Sequence, residues 1–212
     1  MQLTLTQPCS RKALLLLVSS LLLWEHVIST SDDQRSNEEL SYKLLSISHR
    51  TRIVARKMYK ILDAKLSKGR WFKKSGNNTC HTASYPTPKK TEDILKLIIN
   101  VSSAWKYPLK LLTPATLTHL ESYDGMLARA IEVKYGNDEI LAAAKILLSR
   151  IQPGFKEYIY PKWPELKKLR SSNEETHLFA FYKLFYCLRN DTQKIDRYLK
   201  ILVCRIIKTY KC

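Results

Sequence analysis

Apolar positions recur at helical spacing through most of the chain. Leu40, Leu44, Ile47, Thr51, Val54, Met58 and Ile61 follow one another at steps of four and three, which puts them on one face of a helix. The pattern predicts a first helix from about Ser36 to Leu66, with Ser36 and Glu39 spaced as a capping box. A polar stretch from Ser67 to Lys90 follows; Gly69, Gly76, Pro86 and Pro88 mark it as a long connection. A second helix begins near Thr91 and carries Ile94, Leu97, Ile98, Val101 and Trp105. Pro108 and Pro114 are expected to kink or end it, because proline lacks the backbone N–H. A third helix is expected from roughly Ser122 to Ile151, with Gly136-Asn137 as a candidate local break. Gln152 to Ser171, with Pro153, Pro161 and Pro164, reads as another long connection. Ser172 and Glu175 form a second capping box, ahead of a fourth helix carrying Leu178, Phe181, Leu184, Phe185, Leu188, Ile195, Leu199, Leu202 and Ile206. No alternating run suggests a sheet. Long first and third connections around a short second one predict an all-α, four-helix, up-up-down-down bundle.

The N-terminus belongs to a different class of segment. Arg11 and Lys12 precede an apolar run from Ala13 to Trp24, and Ser29, Thr30 and Ser31 supply small residues. That is the layout of a secretory signal peptide, and the run is shorter than the roughly 20 residues a bilayer span requires. Residues 1–31 are therefore expected to be a leader cleaved at about 29–31, and residues 32–212 a single secreted, extracellular domain without membrane insertion. The whole chain carries 36 Lys and Arg against 19 Asp and Glu, a net charge of +17, of which the leader accounts for only +1. A 45% hydrophobic content suits one core, and 5 glycines argue against a glycine-rich phosphate-binding enzyme.

The leader also removes Cys9, leaving Cys80, Cys187, Cys204 and Cys212. An even count in a secreted chain implies two disulfides. Cys187 and Cys204 lie on one predicted helix about 25 Å apart, far beyond the roughly 7 Å limit for bridged Cα atoms. Pairing Cys187 with Cys212 would stretch the tail back along almost the whole helix. The remaining pairing is Cys80–Cys187 with Cys204–Cys212.

Several motifs carry a resemblance. Cys80-His81-Thr82-Ala83-Ser84, Tyr160-Pro161-x-Trp163 and the stretch CLRNDTQKIDRYLKILVCRII from Cys187 to Ile207 resemble the prolactin/somatotropin hormone family. TEDILKLIINVSSAWKYPLKLL, Thr91 to Leu112, is most similar to the placental lactogens and placental prolactin-like proteins. One departure is that prolactin has a small N-terminal disulfide, whereas this chain has no cysteine between Cys9 and Cys80. The resemblance implies a four-helix cytokine bundle that acts as a secreted hormone, monomeric when unbound. It implies a class I cytokine receptor, the prolactin receptor or a relative, engaged by helix one, the first connection and helix four. A second receptor copy would meet helices one and three.

Carried over residue by residue, the first receptor face comprises His49, Arg52 and Arg56 on helix one. On helix four it comprises Arg189, Asp191, Gln193, Lys194, Asp196, Tyr198 and Lys200. Gln193 stands where lactogenic hormones have a histidine. His49 and Asp196 match the family's receptor-bridging zinc site, but Arg52 replaces its second histidine. A guanidinium repels Zn²⁺ and offers no lone pair, so zinc-assisted binding is expected to be lost and no metal site is assigned. On the second face Ala143 stands where the family keeps a glycine.

Charge adds a further candidate. From Lys43 to Lys74 there are eleven Lys and Arg against Asp63 alone, a net +10. His49, Arg52, Arg56 and Lys60 fall on one side of helix one as a basic ridge. Such a ridge suits heparin-like glycosaminoglycans or an acidic receptor surface; nucleic acid is not expected for a chain that leaves the cell. Sequons at Asn77, Asn100 and Asn190 make the chain a candidate glycoprotein. His49, His81, His119 and His177 are scattered over different elements, and no glycine-rich loop, nucleophile elbow or metal box is present. No catalytic residue and no cofactor is assigned. The main reading is a hormone that dimerises a receptor. The alternative is a diverged bundle that acts through another receptor or through glycosaminoglycans.

Overall fold

The computed structural model describes residues 11–66, 80, 82, 88–119, 125–154 and 163–207. It contains helices α1 (Arg11–Leu66), α2 (Thr91–His119), α3 (Met126–Ile151) and α4 (Glu174–Ile206), with a short 3₁₀ helix at Pro164–Arg170 ahead of α4. The chain divides into two compact units, Met1–Glu39 and Leu40–Cys212. The bundle core lies in the second.

Three helix ends differ from expectation. α1 does not start at a Ser36 cap but runs back to Arg11. Residues 25–36 contain neither glycine nor proline, so nothing interrupts a helix entering from the leucine-rich run. α4 is capped by Asn173, one residue after the expected Ser172: the Asn173 side-chain oxygen accepts from the Thr176 N–H at 2.8 Å. α3 begins at Met126, after Gly125 in the left-handed region.

The helix interiors differ too. α2 continues through Pro108 and Pro114. Proline at 108 cannot donate to the carbonyl of Ala104, four residues back. That carbonyl instead accepts from the indole Nε1–H of Trp163 at 3.1 Å. A side chain from the third connection thus replaces the missing helical bond. α3 shows no break at Gly136-Asn137. Thr51 of α1 packs where a Cβ at position 136 would sit, so the glycine permits a close approach of the two helices. Asn137 is buried and donates its Nδ2–H to the Ser102 carbonyl of α2 at 3.0 Å.

The contacts define the topology. His49 meets Asp196, and Tyr59 meets Tyr182, so α1 and α4 run antiparallel. Arg205 donates to the Lys89 carbonyl, and Trp105 reaches Asp191, so α2 and α4 are also antiparallel. α1 and α2 therefore point the same way. α2 packs extensively on α3 across a short link, which makes that pair antiparallel. The order is up-up-down-down. Leu44, Met58 and Leu62 of α1 bury against a common core with Ile98, Trp105, Leu147, Phe181, Phe185 and Leu199. Cys80 and Cys187 form a disulfide with Cα atoms 5.5 Å apart, pinning the first connection to α4. The expected Cys204–Cys212 bridge involves Cys212, which lies outside the described residues.

Candidate functional site

The α1–α4 junction gathers most of the first-face candidates. Asp196 is buried, and two cations and a histidine surround it. Arg52 Nε lies 3.1 Å and Lys200 Nζ 3.2 Å from Oδ2, and His49 Nδ1 lies 3.6 Å from Oδ1. Oδ1 accepts no hydrogen bond, and Arg52 Nε approaches off-axis, so Coulomb attraction rather than aligned hydrogen bonding holds the cluster. Arg52 Nη2 is also 3.3 Å from His49 Nδ1. The guanidinium thus lies against both residues that match the family's zinc ligands. Two donors with a cation against them do not fit Zn²⁺. No group of three potential ligands occurs among the described residues.

Two turns away along α4, Arg189 is fixed by its neighbours. Its guanidinium carbon sits 4.2 Å from the Tyr59 ring centre and 4.8 Å from that of Tyr186. Nε and Nη2 donate to the Asn190 side-chain oxygen at 3.1 and 2.9 Å. Beneath it, the Tyr182 hydroxyl contacts that of Tyr59 at 2.9 Å and donates to Asp63 at 3.1 Å. Burial first, then the Tyr59 bond and Asp63, push the Tyr182 phenol well above its usual range. Arg52, Arg56, Arg189 and Gln193 line a cavity of about 240 Å³. Gln193, Arg56, Lys60 and Lys200 are exposed, whereas Tyr198 is half-buried against the core.

Asp191 lies inside, although the resemblance put it on the receptor face. It is buried, and both carboxylate oxygens accept from the Thr82 hydroxyl, at 2.6 Å for Oδ1. Trp105 Nε1 donates to Oδ2 at 2.7 Å. Asp191 therefore joins the first connection, α2 and α4 rather than facing a partner. Its sequence signal was its spacing: it lies four residues after Cys187 and four before Ile195, on the buried stripe. Lys194 follows the same network, reaching the Thr82 carbonyl at 3.4 Å. Burial lowers its pKa, opposed by the charge of Asp191.

On the other side, α1 meets α3 where Arg50 pairs with Glu132 and Thr51 packs on Gly136. Ala143 is half-buried beside exposed Ala142. Tyr42 and Ile53 on α1, and Ile131, Tyr135 and Ile146 on α3, are exposed apolar residues that lie off the periodic stripes. Their spacing gave no signal of them. Asn100 is half-buried, with its side-chain oxygen buried and lacking a hydrogen-bond partner. Asn190 is half-buried under Arg189. His177 packs edge-on against Phe181. Asn77, His81 and the side chain of His119 lie outside the described residues.

An up-up-down-down bundle of four helices defines a protein of the helical-cytokine class. Residues 16–212 match the family model described as the somatotropin hormone family, and the chain belongs to that family. Prolactin-3C1 of Rattus norvegicus is 64% identical over 208 residues, covering 98% of this chain and 99% of the relative. Prolactin-3C1 of Mus musculus is 53% identical over 210 residues, 99% of each. Prolactin-3D4 of Rattus norvegicus is 41% identical over the full length of both. The family is one of secreted hormones that bind class I cytokine receptors. Among the described residues no helix is long and apolar enough to cross a membrane.

Proposed function

We propose that this chain is a secreted, prolactin-like hormone of placental-lactogen type that binds the prolactin receptor through the α1–α4 face. Residues 1–31 act as the cleaved leader, and Cys204–Cys212 closes the second disulfide. The observation that carries this reading is the ordered cluster of His49, Arg52 and Lys200 around Asp196, which holds cations from both helices at one junction. Arg52 takes the place of a zinc donor there, so receptor affinity is independent of zinc. The second receptor copy meets α1 and α3 around Ala143, where exposed Ala142 and Ile146 supply apolar surface. Asn77, Asn100 and Asn190 are the candidate glycan sites. Soluble prolactin receptor mixed with the hormone tests this. Complexes of one hormone with two receptors support dimerisation; 1:1 complexes alone argue against the second face.

A second reading has its own support. His49, Arg56 and Lys60 are exposed along α1, with Arg52 partly so, and seven of the eleven cations between Lys43 and Lys74 lie on α1. This favours binding to heparin-like glycosaminoglycans, with or without the prolactin receptor. A cell line dependent on prolactin receptor separates the two activities. Elution from heparin below about 0.3 M salt would remove the second reading, because nonspecific surface charge is screened at that ionic strength.

A further inference from the structure

The cavity between α1 and α4 is not merely part of a charged surface. Three guanidinium groups and one amide line it, and no carboxylate does. Two of the three arginines are held in place. Arg52 is anchored by Asp196 and partly buried, at 23% side-chain exposure. Arg189 is stacked on Tyr59 and Tyr186 and bound to Asn190. The Asn190 bonds use two of the five N–H donors of Arg189, leaving three. Arg56 is exposed and has no ion-pair partner among the described residues. Asp196 pairs with Arg52 but cannot neutralise all three guanidinium groups, and Lys200 shares it.

Holding three like charges around one cavity is unfavourable unless an anion enters it. Planar arginine forks match the oxygens of a tetrahedral oxyanion, each sharing an edge. The surroundings favour a repeating polyanion over a single carboxylate. Lys60 extends the positive line along α1, and Arg197 and Lys200 extend it on α4, all exposed. From Arg52 to Lys60 the line on α1 covers about 12 Å at helical rise. One receptor carboxylate would satisfy the cavity and leave that line unpaired. A sulfated polysaccharide pairs with both.

The geometry points to this cavity as the sulfate-binding subsite of a glycosaminoglycan site, formed by Arg52, Arg56, Arg189 and Gln193. One sulfate group of the chain enters between the arginines, and its other anionic groups lie along the α1 and α4 cations. The inference rests on the glycosaminoglycan reading above and deepens it: specific forks, not diffuse charge, select the ligand. Because the cavity opens on the face proposed for the receptor, a bound glycosaminoglycan and the receptor exclude one another there.

The test uses the full secreted chain and a fully sulfated heparin hexasaccharide in titration calorimetry. Arg56→Gln with Arg189→Gln is compared with Lys106→Gln and Lys110→Gln, an equal charge loss on α2. The cavity pair weakens binding at least about tenfold, and the α2 pair about twofold or less. Arg56→Lys keeps the charge but loses the fork, and weakens binding several-fold; it also avoids the stacked Arg189, so a folding defect cannot mimic the result. Equal weakening by both pairs overturns the subsite and leaves diffuse charge. Cavity variants that spare heparin but weaken soluble prolactin receptor assign the cavity to a receptor carboxylate and overturn it as well. A wild-type chain that does not bind the hexasaccharide refutes the underlying glycosaminoglycan reading itself, a result distinct from the other two.

Discussion

Trp163→Phe isolates the bond that carries α2 through Pro108. The substitution keeps an aromatic ring near Trp105, whose ring centre lies 4.4 Å away, but removes the Nε1–H that donates to the Ala104 carbonyl. Ala104 is buried, so that carbonyl has no ready access to water. An unsatisfied buried acceptor costs about 1–3 kcal/mol. The smaller ring adds about 1 kcal/mol of lost packing. The expected total is about 2–4 kcal/mol, read from guanidinium unfolding followed by circular dichroism. The decisive step is the second substitution. Pro108→Ala returns a backbone N–H four residues after Ala104, so the carbonyl regains its helical partner. In that background Trp163→Phe loses only packing and becomes cheaper by about 1–3 kcal/mol. If the two substitutions add within about 0.5 kcal/mol, the indole is not standing in for the proline's missing donor, and the account of α2 is wrong.

Three further outcomes follow from the same structure. Asp191→Asn leaves the Thr82 hydroxyl and Trp105 N–H competing for one acceptor, and lowers stability by about 2–4 kcal/mol in chemical denaturation; a change under about 0.5 kcal/mol contradicts the buried network. Arg52→His supplies a donor between His49 and Asp196 and creates receptor affinity that rises with added zinc and falls with chelator; zinc-independent binding in that variant refutes the role given to Arg52. Tyr182 has its folded pKa raised above the unfolded value of 10.0, so the folded state keeps a proton that the unfolded state gives up. Its contribution is complete below pH 10 and declines as pH rises beyond it, and Tyr182→Phe removes that part of the alkaline loss; identical pH profiles for wild type and variant would disprove it.

Much of the bundle was legible in the sequence because the apolar steps of three and four report burial directly. Leu44, Met58, Ile98, Phe181 and Leu199 all sit in the core where their spacing put them. The disulfide was legible because helix length excluded the alternatives, and Cys80–Cys187 is the bridge observed. Local rules failed where the partner was remote. Proline reads as a helix breaker, and the group that satisfies Ala104 lies 59 positions along the chain. Gly136 reads as a break, and the reason for it is Thr51 on another helix. Asp191 was assigned to the receptor face by resemblance, although its helical position relative to Cys187 and Ile195 placed it inside. On the candidate face, the residues His49, Arg52, Asp196 and Lys200 were legible individually. Their convergence on one carboxylate, and the stacking that fixes Arg189 over Tyr59 and Tyr186, depend on how α1 lies against α4.

The central claim is that the α1–α4 face engages the prolactin receptor directly, without zinc. Surface plasmon resonance of the secreted hormone on soluble prolactin receptor, in excess chelator, tests it most directly. Wild type should bind saturably and show no change when zinc is restored. Lys200→Ala, on the face, should weaken binding at least about tenfold, while Lys106→Ala on α2 leaves it unchanged. No binding, or equal binding by the wild type and Lys200→Ala, would contradict the account.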